Sequence, residues 1–141
     1  MANIIPFSFR GELFSGTHNF SNGGNQFKIA LYTGNPYSTS STQYLTAQEV
    51  SGSNTGYTVA GKLLSSQAVA SGTAVASVDF ADSVLSNATF TAAFAAIYND
   101  TNSDKLCVVL DFGGNKTATN GTFTISFPDP STPANAIISM A

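Results

Sequence analysis

The chain has 141 residues, of which 43% are hydrophobic and only 9% charged, with five Lys/Arg against eight Asp/Glu for a net charge of −3. That length can bury one sizeable core without disulfide or metal staples, and the apolar content excludes a disordered chain. The charge excludes a nucleic-acid binder, which needs clustered cations to displace counterions from phosphate, and no run approaches the ~20 apolar residues of a membrane-spanning helix.

An average soluble domain carries about 25% charged residues. Here Ser, Thr, Asn, Gly and Ala take their place, and no Lys or Arg occurs between Lys62 and Lys105. A surface this poor in charge repels its neighbours weakly and favours association. The opening Met1-Ala2-Asn3-Ile4-Ile5-Pro6 has neither the basic start nor the apolar run of a secretory leader, so synthesis in a cytoplasm is expected.

Ser8-Phe9-Arg10-Gly11-Glu12-Leu13-Phe14-Ser15-Gly16 spaces Phe9 and Leu13 four apart. The spacing predicts a short helix, with Ser8 as its cap and Gly16 at its end. A strand is the alternative, because Phe7, Phe9 and Leu13 also fit period two. After the turn Asn22-Gly23-Gly24-Asn25, Phe27, Ile29 and Leu31 alternate with Lys28, Ala30 and Tyr32, the pattern of a strand. Residues 34–42 form a loop, and Tyr57-Thr58-Val59-Ala60 and residues 63–69 read as short strands. Ala74, Ala76, Val78 and Phe80 mark another. Phe90, Ala92, Phe94, Ala96 and Tyr98 predict one face of a long central strand, with Thr91, Ala93, Ala95 and Ile97 on the other. Residues 99–104 are a polar loop, and residues 105–111 return as a strand. Phe112-Gly113-Gly114-Asn115 is a turn. Asn120-Gly121 predicts a tight hairpin between a strand near Lys116 and residues 122–127, since a type I′ turn needs positive φ at both central positions. Residues 136–140 close the chain as a last strand.

These elements predict an all-β fold: one antiparallel β-sandwich or jelly roll over residues 1–141, with residues 1–16 as an N-terminal arm or short helix. The expected core is Phe27, Ile29, Leu31, Phe90, Phe94, Leu106, Val108, Leu110, Phe123, Ile125 and Phe127.

Residues that could carry chemistry are few. His18 is the one histidine and lies in a turn without a partner signature; a structural role is expected. Cys107, the one cysteine, sits in the apolar run Leu106-Cys107-Val108-Val109-Leu110 and reads as a small buried hydrophobe. Asp100-Thr101-Asn102-Ser103-Asp104 begins with the alternating oxygens of a calcium loop. Its sixth position, however, is Lys105 where the sharp turn needs glycine, so a solvated hairpin loop is expected. Five Asn-x-Ser/Thr triplets, at Asn19, Asn87, Asn99, Asn115 and Asn120, carry no glycosylation signal in a chain so rich in Asn and Thr. No nucleophile elbow, phosphate loop or dinucleotide fingerprint appears. The expectation is a non-enzymatic protein without metal or cofactor.

Several blocks in combination resemble a family of small virion structural proteins of tailed bacteriophages. They include Phe27-Lys28-Ile29-Ala30-Leu31-Tyr32-Thr33, Glu49-Val50-Ser51-Gly52, Gly56-Tyr57-Thr58, Val78-Asp79-Phe80-Ala81-Asp82 and Asn87-Ala88-Thr89-Phe90-Thr91. Ala96-Ile97-Tyr98-Asn99, Val109-Leu110-Asp111-Phe112-Gly113, Asn120-Gly121-Thr122-Phe123 and Ala136-Ile137-Ile138 complete the set. The resemblance runs from Phe7 onward and departs at Gly61-Lys62, where a second glycine is expected. It implies a capsid decoration (cement) protein that clamps neighbouring shell subunits. The major capsid protein or other virion proteins would be its partners, and it would work as a homo-oligomer located in the virion. A phage tail component, fibre-associated or in the baseplate, is the alternative. A carbohydrate-binding β-sandwich is a third reading, with Tyr37, Tyr44 and Tyr57 as its loop aromatics. Within the assembly reading, Ile4, Ile5, Phe7 and Phe9 are the expected contact residues, because they concentrate apolar surface at a chain end. The alternative is that they cover the open end of the chain's own sandwich.

Overall fold

A long antiparallel hairpin dominates the computed structural model, which describes residues 3–128 and 136–140. Its arms are β5 (Ser83–Asn99) and β6 (Lys105–Ile125), joined by residues 100–104. Before it come α1 (Phe7–Phe14), β1 (Phe27–Tyr32), β2 (Lys62–Leu63), β3 (Ala68–Ser71) and β4 (Ala76–Asp79); β7 (Ile138–Met140) follows. One sheet has the order β2-β1-β5-β6 and the other β3-β4-β7, all pairings antiparallel. The fold is all-β with one short helix.

The main core lies between the sheets. Phe27, Ile29 and Leu31 of β1 pack there with Phe90, Ile97, Phe123 and Ile125, and Val78 and Ile138 of the second sheet join them. The other face of the first sheet carries a smaller cluster of Ala30, Tyr32, Ala96, Tyr98, Leu106 and Val109, covered by Tyr37. Burial on both faces explains why β5 reads as apolar on both sides. The expected core is interior except at its margins, where Phe94 and Phe127 are half-buried.

Four departures from the sequence reading have a physical cause. The first is that Phe112 to Asn115 does not reverse the chain. Ala92 pairs with Lys116 and Phe94 with Asp111, so one residue of β5 faces four of β6; the excess bulges out through Gly113 (φ 76°) and Gly114 (φ 140°). This bulge also flips the alternation. Phe90 and Ala92 face the main core, whereas Phe94, Ala96 and Tyr98 face the smaller one.

The second is that Asn120-Gly121 is no hairpin turn. Gly121 pairs with Ala88 inside β6, and positive φ belongs to Asn120 (45°) and, across the pair, to Asn87 (52°). Each is a bulge of one residue, using asparagine's tolerance of the left-handed region. The third is that residues 57–60 turn instead of forming a strand. Gly61, at φ 90°, passes so close to β1 that a Cβ there would lie 2.3 Å from the Ile29 carbonyl oxygen. The fourth is that residues 63–69 are split between two sheets by a corner at Ser66 (φ 53°).

The helix forms where expected but starts differently. Pro6 occupies the N-cap, and the Ser8 hydroxyl instead donates to the Ser41 carbonyl at 3.2 Å. The C-terminus follows the expectation. Gly16 takes φ 73°, its N–H donates to Leu13 O at 3.2 Å, and the Thr17 N–H donates to Glu12 O at 3.0 Å. This pair of bonds is the Schellman closure, which satisfies carbonyls that the helix end leaves orphaned.

Candidate functional site

The groups capable of chemistry collect in two places. The first lies under α1, where the chain emerging from the Schellman turn drops His18 against the hairpin tip. His18 Nε2 is 2.5 Å from Glu12 Oε2, and its Nδ1 is 3.0 Å from Asn99 Nδ2 and 3.7 Å from Cys107 Sγ. Asn99 Oδ1 accepts the N–H groups of Thr101 (3.1 Å) and Asn102 (3.2 Å), which fixes the amide so that its NH₂ faces His18. Nδ1 must therefore accept, and the proton of the neutral ring sits on Nε2 and is donated to Glu12. Lys105 Nζ, 3.5 Å from Glu12 Oε1, completes the group.

Burial lowers the His18 pKa below its ordinary value, opposed by the bond to Glu12 and its charge and assisted by Lys105. Burial, then the charge of Glu12, raises the Cys107 thiol well above its usual range. A protonated, fully enclosed thiol beside a neutral imidazole lacks the thiolate that nucleophilic chemistry requires. The cluster instead stitches α1 to the hairpin. Asn25 Oδ1 accepts from Asn19 N (2.8 Å) and Asn99 Nδ2 (3.1 Å), and Gln26 N donates to Thr101 Oγ1 at 2.8 Å. Residues 100–104 are thus a structural hairpin loop. Asp100 pairs with Lys28 at 3.1 Å, and Asp111 lies along β6 opposite Phe94, away from the loop. Among the described residues, no three of His, Cys, Asp and Glu converge as metal ligands.

The second place gathers all five tyrosines around Glu49. Its carboxylate accepts from Tyr44 Oη (2.5 Å), Tyr57 Oη (2.6 Å) and the Ala60 N–H (2.8 Å). Tyr57 Oη also accepts the Leu31 N–H at 3.0 Å. Tyr32 donates to Leu45 O at 2.8 Å and sits 2.6 Å from the Tyr37 hydroxyl, which accepts the Leu45 N–H at 3.0 Å. Tyr98 donates to the Ala60 carbonyl, and its ring stacks on Tyr44 with centroids 4.8 Å apart. Burial raises the pKa of every one of these phenols. The tyrosines thus fasten the loop of residues 33–61 to the first sheet. Tyr37 and Tyr57 are buried and offer no stacking platform to a sugar.

Of the four expected contact residues, one presents its side chain to solvent. Ile4 forms a two-way backbone bridge with Val109 (2.9 and 2.8 Å) and, like Ile5, is half-buried against a core cluster. Phe9 is an interior residue, its ring tilted against His18 and edge-on to Phe20, because it lies on the inward face of α1. Phe7 is 63% exposed. Phe14, absent from the sequence-based set, is 89% exposed; its spacing of seven from Phe7, two helical turns, is the signal that would have found it. A groove of about 480 Å³ runs between residues 56–58 and 84–86, and Lys62, the one charged residue in its lining, has its ammonium on the Val84 carbonyl. Comparison with models of known protein families, with curated proteins and with solved structures returns no match.

Proposed function

We propose that this chain is a non-enzymatic structural component of a tailed-phage virion, a decoration protein that clamps neighbouring shell subunits. One observation carries the reading beside the resemblance of its sequence blocks. His18, Glu12 and Glu49 are spent on fastening α1 and the loop of residues 33–61 to the first sheet, and Cys107 is enclosed beside His18. What remains outside is a charge-poor surface of Ser, Thr and Ala on which Phe7 and Phe14 stand exposed. Such a surface suits contact with other proteins, since low charge repels neighbours weakly and contiguous exposed apolar patches mark interaction sites.

Quantifying this chain against the major capsid protein in purified particles tests the reading. Hundreds of copies per particle, with matching density on the shell in an icosahedral reconstruction, are expected. A handful of copies confined to the tail would favour the tail-component alternative, and complete absence from particles would overturn both.

A further inference from the structure

Phe14 and Phe7 are the two most exposed large hydrophobic side chains among the described residues, at 89% and 63%. Seven residues span 700° on an α-helix, roughly 20° short of two turns, so both rings stand on one face of α1. Arg10 and Gly11 lie between them. The Arg10 guanidinium carbon is 5.3 Å from the Phe7 ring centroid, and a Cβ added at Gly11 would meet nothing within 4 Å, which leaves an open notch between the rings. The opposite face is fully engaged: Phe9 is interior, Leu13 packs on the main core, and Glu12 holds His18 and Lys105.

We propose that this outer face of α1 pairs with the same face of a second copy, the two helices running antiparallel about a twofold axis between Arg10 and Gly11. The spacing Phe-x-x-Arg-Gly-x-x-Phe is symmetric about that point. An antiparallel twofold sets Phe7 against Phe14 of the second copy and Arg10 against Gly11 of the second copy, the reciprocal matching an isologous interface requires. The longest side chain on the face then meets the notch. The guanidinium already over Phe7 lies between that ring and the incoming Phe14, where a cation is attracted to both faces.

The area sets the strength. An aromatic side chain buries about 150–250 Å², so these exposures amount to about 300 Å² per copy, against about 800 Å² per partner in a stable interface. The pair is therefore weak in free solution and becomes effective where copies are held side by side at high local concentration. In that last respect the inference rests on the assembly reading above. The pairing itself is read on the isolated protein, so its failure and the failure of the virion reading are distinguishable.

The test uses the purified full chain carrying Gly11→Cys, with Thr119→Cys on the exposed part of β6 as control, in a glutathione redox buffer. The native Cys107 is enclosed and does not interfere. Gly11→Cys is expected to give disulfide-linked dimer in at least several-fold higher yield than the control, and adding Phe14→Ser is expected to bring that yield down to the control level. Both positions are open to solvent, so matched thermal melts should show the variants folded. Sedimentation of the unmodified chain should show its mass rising above 14.6 kDa with concentration, and the Phe14→Ser variant should stay monomeric. Crosslinking no better than the control, or crosslinking that Phe14→Ser leaves unchanged, would overturn the proposal.

Discussion

Replacing Glu49 by Ala is expected to loosen the loop of residues 33–61 from the first sheet, because one carboxylate holds three donors there. Tyr44, Tyr57 and the Ala60 N–H all end on it. A hydrogen bond to an ionised group contributes about 1.5–3 kcal/mol net. Three such bonds would sum to about 4.5–9 kcal/mol if fully shielded. Glu49 is only half-buried, so water replaces part of what is lost, and the expected cost is about 2–3 kcal/mol. In a chain of this size that lowers the melting temperature by about 10 °C. The assay is urea unfolding of Glu49→Ala, Tyr57→Phe and the double variant. Tyr57→Phe alone should cost about 1–3 kcal/mol, since it also strands the buried Leu31 N–H. The double variant should cost less than the sum of the two single changes by about 1 kcal/mol or more, because both remove the same bond. Additive costs, or a Glu49→Ala loss below about 0.5 kcal/mol, would refute the reasoning that this carboxylate fastens the loop.

Phe90 and Phe123, both 8% exposed with ring centroids 4.8 Å apart, should each cost about 3–5 kcal/mol when truncated to Ala, as read from urea midpoints. Gly121→Val should shift stability little, because its φ is not positive and an added Cβ meets only the Thr119 carbonyl, at 3.5 Å; Asn120→Val should cost about 1–2 kcal/mol at its φ of 45°, and the reverse order would restore the tight-turn reading. Because the His18 pKa is lowered in the folded chain, the unfolded chain takes up its proton first. The stability that His18 contributes is fully present above its ordinary value of about 6.5 and is lost as the pH falls below that and through the lowered value of the folded chain. Urea midpoints from pH 8 to pH 5 should show that fall in the native chain and a smaller one in His18→Gln, and equal slopes would count against the neutral-ring assignment.

The strands were legible wherever a single periodicity ruled. Phe27, Ile29 and Leu31 alternate cleanly, and β1 forms as expected. The central strand was recognisable because both of its faces are apolar, and Gly16 marked the helix end. The bulges were not legible, because the residues that permit positive φ, Asn and Gly, serve turns and bulges alike. Asn120-Gly121 and Gly113-Gly114 therefore read as chain reversals, although β6 continues through both as bulges. The polar clusters were hidden for another reason. Glu49 has no local partner beyond Tyr44, and Asn99 meets His18 across 81 residues, a contact that exists only once the hairpin tip folds back on α1. Phe9 and Phe14 look equivalent as letters. Only the rotation of the helix, set by Glu12 and Leu13 facing inward, sends one inside and the other out.

The two asparagine bulges mark where the length of this chain can drift. From Leu85 to Phe90 on β5 and from Phe123 to Ala118 on β6 the count is five steps on each strand, because the extra residue near Asn87 offsets the extra residue near Asn120. Deleting either one alone would leave Leu85 opposite Phe123, Ala88 opposite Gly121 and Phe90 opposite Ala118, because the bulged residue is the one without a partner across the ladder. Phe123 and Ile125 would keep their places in the core and their threonine neighbours would stay outside. Single insertions and deletions in this hairpin are therefore absorbed at the bulges, so related chains should differ in length at these points by one residue without exchanging the faces of the strands.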